Sequence, residues 1–378
     1  HYIYNGSSTI TDLAKELDLS VPTTTKFINE MCEDNYINDY GKLETSSGRH
    51  PSLYGLNPES GYFIGVDIKK FAINIGLINF KGDMVEIKMN IPYKFENTQE
   101  ALEELCALIR NFIKGTEIND KKIMNICINI SGRVNPESGY SFSMFNFSER
   151  PLADVLNEKI GYPVCIDNDT RAMTYGEHMQ GCVKGEKDII FVNISWGLGI
   201  GIIIDGKVYT GKSGFSGEFG HVNVFDNEIL CHCGKKGCLE TEASGSAIYR
   251  ILQERIKKGE CSILSGRANN QELPLTLDEI ISAVNKEDLL CIEIVEEIGQ
   301  KLGKQIAGLI NIFNPELVII GGTLSLTDDY IAQPIKTAIR KYSLNLVNQD
   351  SVITVSKLKD RAGIVGACML ARSRMFEY

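Results

Sequence analysis

The stretch from Gly217 to Ser244 constrains this chain more than any other. It reads Gly-Glu-Phe-Gly-His, a spacer, then Cys-His-Cys-Gly-Lys-Lys-Gly-Cys-Leu-Glu-Thr-Glu-Ala-Ser. Cysteines fall at Cys231, Cys233 and Cys238, with His221 upstream. Three thiolates and an imidazole make a tetrahedral zinc set, and Gly234 and Gly237 let the backbone turn the sulfurs inward. His232 competes for the nitrogen position, but its neighbours on both sides are the better thiolate ligands. Four protein ligands close the shell, which predicts a structural ion and not a Lewis acid. Glu218 stands three residues before His221, and Glu240 two after Cys238. An ion that pins this loop also fixes the two carboxylates relative to each other. The arrangement reads either as a metal staple with incidental acids or as a metal-shaped pocket for a polyhydroxylated ligand.

The order of ligands, glycines and acids resembles the signature of the ROK family of sugar kinases and sugar-responsive repressors, Gly-Glu-x-Gly-His followed by Cys-x-Cys-Gly-x-x-Gly-Cys-Leu-Glu. The resemblance implies an α/β chain of the two-lobed sugar-kinase kind, an actin-like ATPase fold (ribonuclease H-like, duplicated). It also implies zinc on His221, Cys231, Cys233 and Cys238, with His232 left free. Glu218, Glu240 and the imidazole edge of His221 would accept from sugar hydroxyls. Carboxylates that take paired hydroxyls select stereochemistry, because a wrong epimer leaves a buried acceptor unpaired.

Ahead of this module the chain predicts a winged helix-turn-helix. Ile10, Leu13, Ala14 and Leu17 recur at helical spacing, with Thr9 or Thr11 as cap. A second helix begins with Ser20 as cap and Pro22 in its first turn. Phe27, Ile28 and Met31 are expected to face inward, leaving Thr23, Thr24, Thr25 and Lys26 outside, where a recognition helix meets bases and phosphates. Lys42 and Arg49 lie in the expected wing, and Gly48-Arg49-His50-Pro51 before Asn57-Pro58 resembles the wing and linker of ROK repressors. Up to Pro58 four basic residues face eight acids. That balance is unusual for a DNA binder, so a protein-binding adaptor remains the alternative for this head.

The chain has 378 residues, a net charge of −10 and 43% hydrophobic residues, enough for two or three domains. An acidic total argues against polyanion binding by the whole surface. No apolar run is long enough to span a bilayer, and no secretory leader is visible. With His1 in place of an initiator methionine, residues are expected to precede it. Eleven scattered cysteines, an odd number, suit reduced thiols and a cytoplasmic protein. The expected division is residues 1–58 for the head, 59–180 for a first α/β lobe completed by a C-terminal helix over about 362–378, and 181–361 for a second lobe with the zinc loop.

The lobes bear on catalysis. A strand ending at Asp67-Ile68 opens the first, and ROK kinases continue there with Asp-x-Gly-Gly-Thr-Lys, whose glycines let backbone N–H groups approach phosphate. Here Lys69-Lys70-Phe71-Ala72 follows, without those glycines, threonine or lysine. Ser195-Trp196-Gly197-Leu198-Gly199-Ile200-Gly201 opens the second lobe, a damaged form of the kinases' glycine loop, whose remaining glycines serve either phosphate or packing. Gly321-Gly322 lies where kinases hold adenosine, or where a tight strand-to-helix passage needs it. By resemblance, Gly132, Arg133, Asn146, Asn168 and Asp169 join the sugar site, and Asp169 would be the general base if the chain were a kinase. The expectation is a sugar-responsive transcriptional regulator, most simply a repressor, without phosphotransfer. It would take operator DNA, a sugar or sugar-phosphate effector and a second copy of itself in a homodimer or homotetramer, with no membrane. The alternative is an ATP-dependent hexose or N-acetylhexosamine kinase with an N-terminal appendage.

Overall fold

The computed structural model describes residues 6–42, 51–268 and 275–376. Packing divides the chain into two units. One comprises His1–Ile128, Phe145–Ile166 and Ala367–Tyr378, and the other Asn129–Met144 and Asp167–Gly366. The grouping differs from the lobes drawn on the sequence at residue 180. Helix Asp169–Gln180 belongs with the second unit, because it packs on strands Ile189–Ile194 and Leu198–Ile204.

The head contains helices Ile10–Glu16 and Val21–Glu33 and a sheet ordered Ser8–Thr9, Ser52–Leu56, Ile37–Lys42. Thr9 Oγ1 accepts the Asp12 N–H at 3.2 Å and Ser20 Oγ the Thr23 N–H at 3.3 Å, so both helices start on the residues that can cap them. Leu13, Ile28 and Ile37 form the small core, with Ile10, Cys32 and Tyr54 against it. The helical phase differs from expectation. Thr24, Ile28 and Cys32, four apart, make the inner face. Thr24 is 3% exposed and its hydroxyl donates to Ser20 O, so it leaves the DNA-facing set. Phe27 and Met31 lie outside, 45% and 44% exposed. Thr23 and Lys26 are exposed, Thr25 is partly so, and Lys42 is exposed at the end of its strand. Arg49 lies outside the described residues.

Two five-stranded sheets form the rest. The first is ordered Val164–Asn168, Ile123–Ile130, Tyr62–Ile68, Ala72–Asn79, Met84–Pro92. The second is ordered Lys207–Val208, Leu198–Ile204, Ile189–Ile194, Leu317–Gly321, Val352–Val355. In both, the first strand in sequence is central, flanked by the second and third on one side and the fourth and fifth on the other. Each opens as an antiparallel meander. The turn at Asp205-Gly206 has positive φ at both residues, as a tight hairpin requires. In the first unit Gly65 lets the C-terminal helix settle on the sheet, since a Cβ there would lie 2.5 Å from Cys368 N. Among the described residues no helix is long and apolar enough to cross a membrane.

The core of the second unit is built on helix Leu289–Phe313 against Asp329–Tyr342. Gly303 makes their crossing close: a methyl on it would meet Ile335 O at 2.5 Å. Helix propensity favours alanine by about 1 kcal/mol, but overpacking costs about 1–3 kcal/mol, so Gly303→Ala should lower stability. Gly308, in the same helix, has nothing within 4 Å of a built Cβ, and Gly308→Ala should raise stability by up to about 1 kcal/mol. Opposite shifts in the urea midpoint are expected, and equal shifts would refute the close crossing.

Candidate ligand and metal site

The second unit gathers most of the expected site residues around strand Leu198–Ile204. Helix Asp169–Gln180 lies on one side of it. Gly199 and Gly201 admit that helix: a Cβ on Gly201 would be 1.8 Å from Thr174 Oγ1, and one on Gly199 3.1 Å from Thr170 Oγ1. The turn Gly217–His221 lies against the same strand. Ile200 N–H donates to Gly217 O at 3.0 Å, and Gly217 has φ +92° with its would-be Cβ 2.0 Å from Ile200 O. A Cβ on Gly220 would lie 2.3 Å from Leu198 O. Both glycines of Gly-Glu-Phe-Gly-His are thus needed for the turn to lie flat, and this places Glu218 and His221. Glu240 reaches the start of the same strand, where its Oε2 accepts the Leu198 N–H at 2.9 Å.

His221, Cys231, Cys233 and Cys238 bring their ligand atoms within 4.8 Å of one another. Cys233 Sγ and Cys238 Sγ are 3.6 Å apart, and Cys231 Sγ is 3.5 Å from His221 Nδ1. A tetrahedral ion about 2.3 Å from sulfur and 2.0–2.1 Å from nitrogen spaces its ligands by about 3.8 Å between sulfurs and about 3.5 Å between sulfur and nitrogen, so the cluster fits one. Burial first, then the crowding of its neighbouring thiols, pushes the Cys231 thiol up to about 12, a cost that a cation removes by binding thiolate. The loop is shaped for this. Gly237, at φ +72°, has its would-be Cβ 2.1 Å from Phe225 O, and its own carbonyl accepts from Val224 and Phe225 N–H. His221 Nε2 faces Glu218 Oε2 at 3.6 Å, so a metal on Nδ1 leaves an Nε2–H beside that carboxylate.

Asp169 stands at the other end of the site. Its Oδ2 accepts from Ser131 Oγ at 2.5 Å and its Oδ1 from Thr170 N at 2.7 Å. Its rim is partly accessible, yet burial raises its pKa above the usual carboxylate value, against the lowering by those hydrogen bonds. Asn168 caps the helix, accepting Arg171 N–H at 3.0 Å, and donates to Gly132 O at 2.8 Å. Gly132 has φ +88° under the Ser143 side chain, and exposed Arg133 donates to Ser143 Oγ through its N–H at 3.0 Å. Asn146 is not among this group. It belongs to the first unit, where its Oδ1 accepts from Asn97 Nδ2 at 2.8 Å.

One residue was not singled out on the sequence. Arg171, 3% exposed, donates to Asp167 Oδ1 at 2.7 Å, Gly214 O at 2.5 Å and Val134 O at 3.1 Å. It ties the segment that leads into Gly217 to the strand that ends at Asn168, and the i,i+4 pairing with Asp167 was its sequence signal. His232, the rival for the nitrogen position on the sequence, has its Nδ1 3.0 Å from Glu240 Oε1. The loop residues Ser195 and Trp196 also find places. Ser195 Oγ donates to Asn193 Oδ1 at 2.7 Å and accepts the Thr323 N–H at 3.1 Å. Trp196 rests against Tyr249, ring centroids 5.8 Å apart.

Residues 63–374 match the sequence profile of the ROK family. The chain belongs to the ROK family. Residues 3–38 match a winged helix-turn-helix DNA-binding profile. Among ROK proteins, the xylose repressor of Caldicellulosiruptor bescii is 32% identical over 370 residues, 97% of this chain and 92% of that protein. A glucokinase of Halalkalibacterium halodurans is 29% identical over 317 residues, 83% of this chain and 96% of its own. The crystal structure of a ROK family transcriptional regulator, a homologue of the E. coli MLC protein, superposes with a TM-score of 0.81 at 27% identity, covering 98% of this chain and 92% of that one. The α/β units of this chain thus carry the sugar-kinase-like fold of the ROK family, preceded by a winged helix-turn-helix.

The buried Asp167–Arg171 pair makes a testable point. Removing one partner of a buried pair leaves an uncompensated charge and costs about 3–5 kcal/mol. Asp167→Ala should lower unfolding free energy by that order in urea, and a change under about 1 kcal/mol would show that Arg171 does not need its partner.

Proposed function

We propose that this chain is a sugar-responsive, DNA-binding transcriptional regulator of carbohydrate metabolism, a repressor like the ROK relatives that it matches across the head. One observation carries the reading: a winged head and a carboxylate-lined site held by a cluster of three cysteines and a histidine occur in one chain. In this reading Thr23, Thr25 and Lys26 contact operator DNA, and Lys42 and Arg49 join them on sequence grounds. Glu218, Glu240 and Asp169 accept from sugar hydroxyls, with the His221 Nε2 edge beside Glu218, and Gly132, Arg133 and Asn168 of the same unit complete the set. The working form is a homodimer or homotetramer in the cytoplasm, whose paired heads read two half-sites and lose their spacing when a sugar binds.

The ion is zinc. Three sulfur donors and one nitrogen at this spacing favour it, and its task is structural: it fixes Glu218 and Glu240 on opposite ends of one loop. The shared strand order supports reading the two sheets as copies of one ribonuclease H-like unit, the actin-like plan. Phosphotransfer is not part of the reading. The turn after Asp67 carries Lys69, Lys70 and Phe71 where a phosphate needs glycine backbone, and the Lys69 N–H donates to Ala72 O. Thr323 N–H is likewise given to Ser195 Oγ. The kinase alternative draws on the glucokinase likeness and on Asp169, which would serve as its base.

The purified chain should carry one zinc per chain. Cys238→Ser should release it and lower the melting temperature, and a metal-free chain with unchanged melting would refute the structural ion. Titration of the chain on its own upstream DNA against a monosaccharide panel tests the regulator. One sugar should weaken DNA binding by about tenfold or more, and Glu240→Gln should abolish the response while DNA binding persists. Turnover of ATP with any sugar at about 1–1,000 s⁻¹ would replace the regulator with the kinase.

A further inference from the structure

Both oxygens of Glu240 are engaged. Oε2 takes the Leu198 N–H at 2.9 Å, and Oε1 lies 3.0 Å from His232 Nδ1. A carboxylate only accepts, so Nδ1 is the donor. Glu240 is buried whereas the His232 side chain is 72% exposed, so the imidazole covers the carboxylate from the solvent side. Its ring stands edge-on to His221, with centroids 5.0 Å apart. Ligating atoms of His221, His232 and Glu240 all lie within 4.8 Å, which places His232 inside the same small volume as the site residues.

The metal gives no reason for a histidine here. Four other ligands close its shell, and His232 Nδ1 is 3.9 Å from Cys231 Sγ and turned to Glu240. A side chain on an exposed turn loses rotamer freedom when held this way, so its aim at a buried site carboxylate calls for a role.

We propose that His232 is a specificity-determining residue of the sugar site. The inference rests on reading Glu218, His221 and Glu240 as that site. His232 Nδ1–H occupies one lone pair of Glu240 Oε1. An incoming group must use the other, which limits its direction of approach. The lone pairs of Glu240 left open are acceptors, so this edge matches a sugar with free hydroxyls there. A carbonyl or carboxylate oxygen at that edge meets lone pairs and is excluded. The ligand class is therefore a neutral monosaccharide with unmodified hydroxyls at this edge, in preference to an N-acetylated or acidic sugar.

Calorimetric titration of the full chain with D-xylose, D-glucose and N-acetyl-D-glucosamine tests this, in wild type, His232→Ala and His232→Asn, with zinc measured in each. Wild type should prefer a sugar without the acetyl group. His232→Ala should weaken that sugar by about tenfold and narrow the gap to the N-acetylated one, the size expected for a lost hydrogen bond. His232→Asn, whose amide can donate to Glu240, should keep part of the affinity, and all three should hold one zinc. Affinities in His232→Ala within about twofold of wild type for every sugar would overturn the proposal alone. So would a wild-type preference for the N-acetylated sugar, or a loss of zinc that tracks the loss of affinity in both variants. A wild type that binds none of the three would remove the sugar-site reading, and this inference with it.

Discussion

Close backbone approach to one strand governs the second unit. Leu198–Ile204 receives helix Asp169–Gln180 through Gly199 and Gly201, and the Gly217–His221 turn through Gly217 and Gly220. Both contacts depend on missing side chains, and most would-be Cβ positions fall well under 3 Å from other atoms. Glu240 then adds its carboxylate to the Leu198 amide. Asp169, the Glu218–His221 turn and Glu240 come from three separate segments, yet each is referred to the same few peptide units. A site built this way inherits the rigidity of a central sheet, although its polar groups sit on turns.

The metal loop completes that arrangement from the outside. Its turns satisfy their own backbone, with Cys231 N–H donating to Lys235 O and Gly234 N–H to Cys231 O. The loop's apolar contacts are Phe219 and Leu239, with Val224 and Phe225 packed against the same core. Beneath it, Arg171 draws Gly214 and Val134 carbonyls to the strand end at Asp167. In the proposed reading, the turns after Asp67 and around Ser195 set a sugar receptor apart from a phosphotransferase.

Much of this was legible in the residues because it depends on identity at fixed spacing. The Cys231, Cys233, Cys238 and His221 set, the caps Thr9 and Ser20, and the Asp205-Gly206 turn each follow from local chemistry. What was not legible depends on three-dimensional partners. Thr24 and Met31 exchanged faces because a thirteen-residue helix with apolar residues at 27, 28 and 31 supports two phases, and only Leu13 and Ile37 decide between them. Strand Val352–Val355 is four residues long and flanked by polar ones, too short for its period to show. Arg171 carries no motif of its own, and His232, weighed on the sequence only as a rival metal ligand, meets Glu240 instead.

Trp196 is the single tryptophan of the chain. It sits two residues before the amide that holds Glu240, partly exposed and resting on Tyr249. Indole emission excited at the red edge, where tyrosine is silent, therefore arises from one point of the whole molecule. The protein carries a built-in optical probe at the rim of its proposed binding site, free of any background from the head.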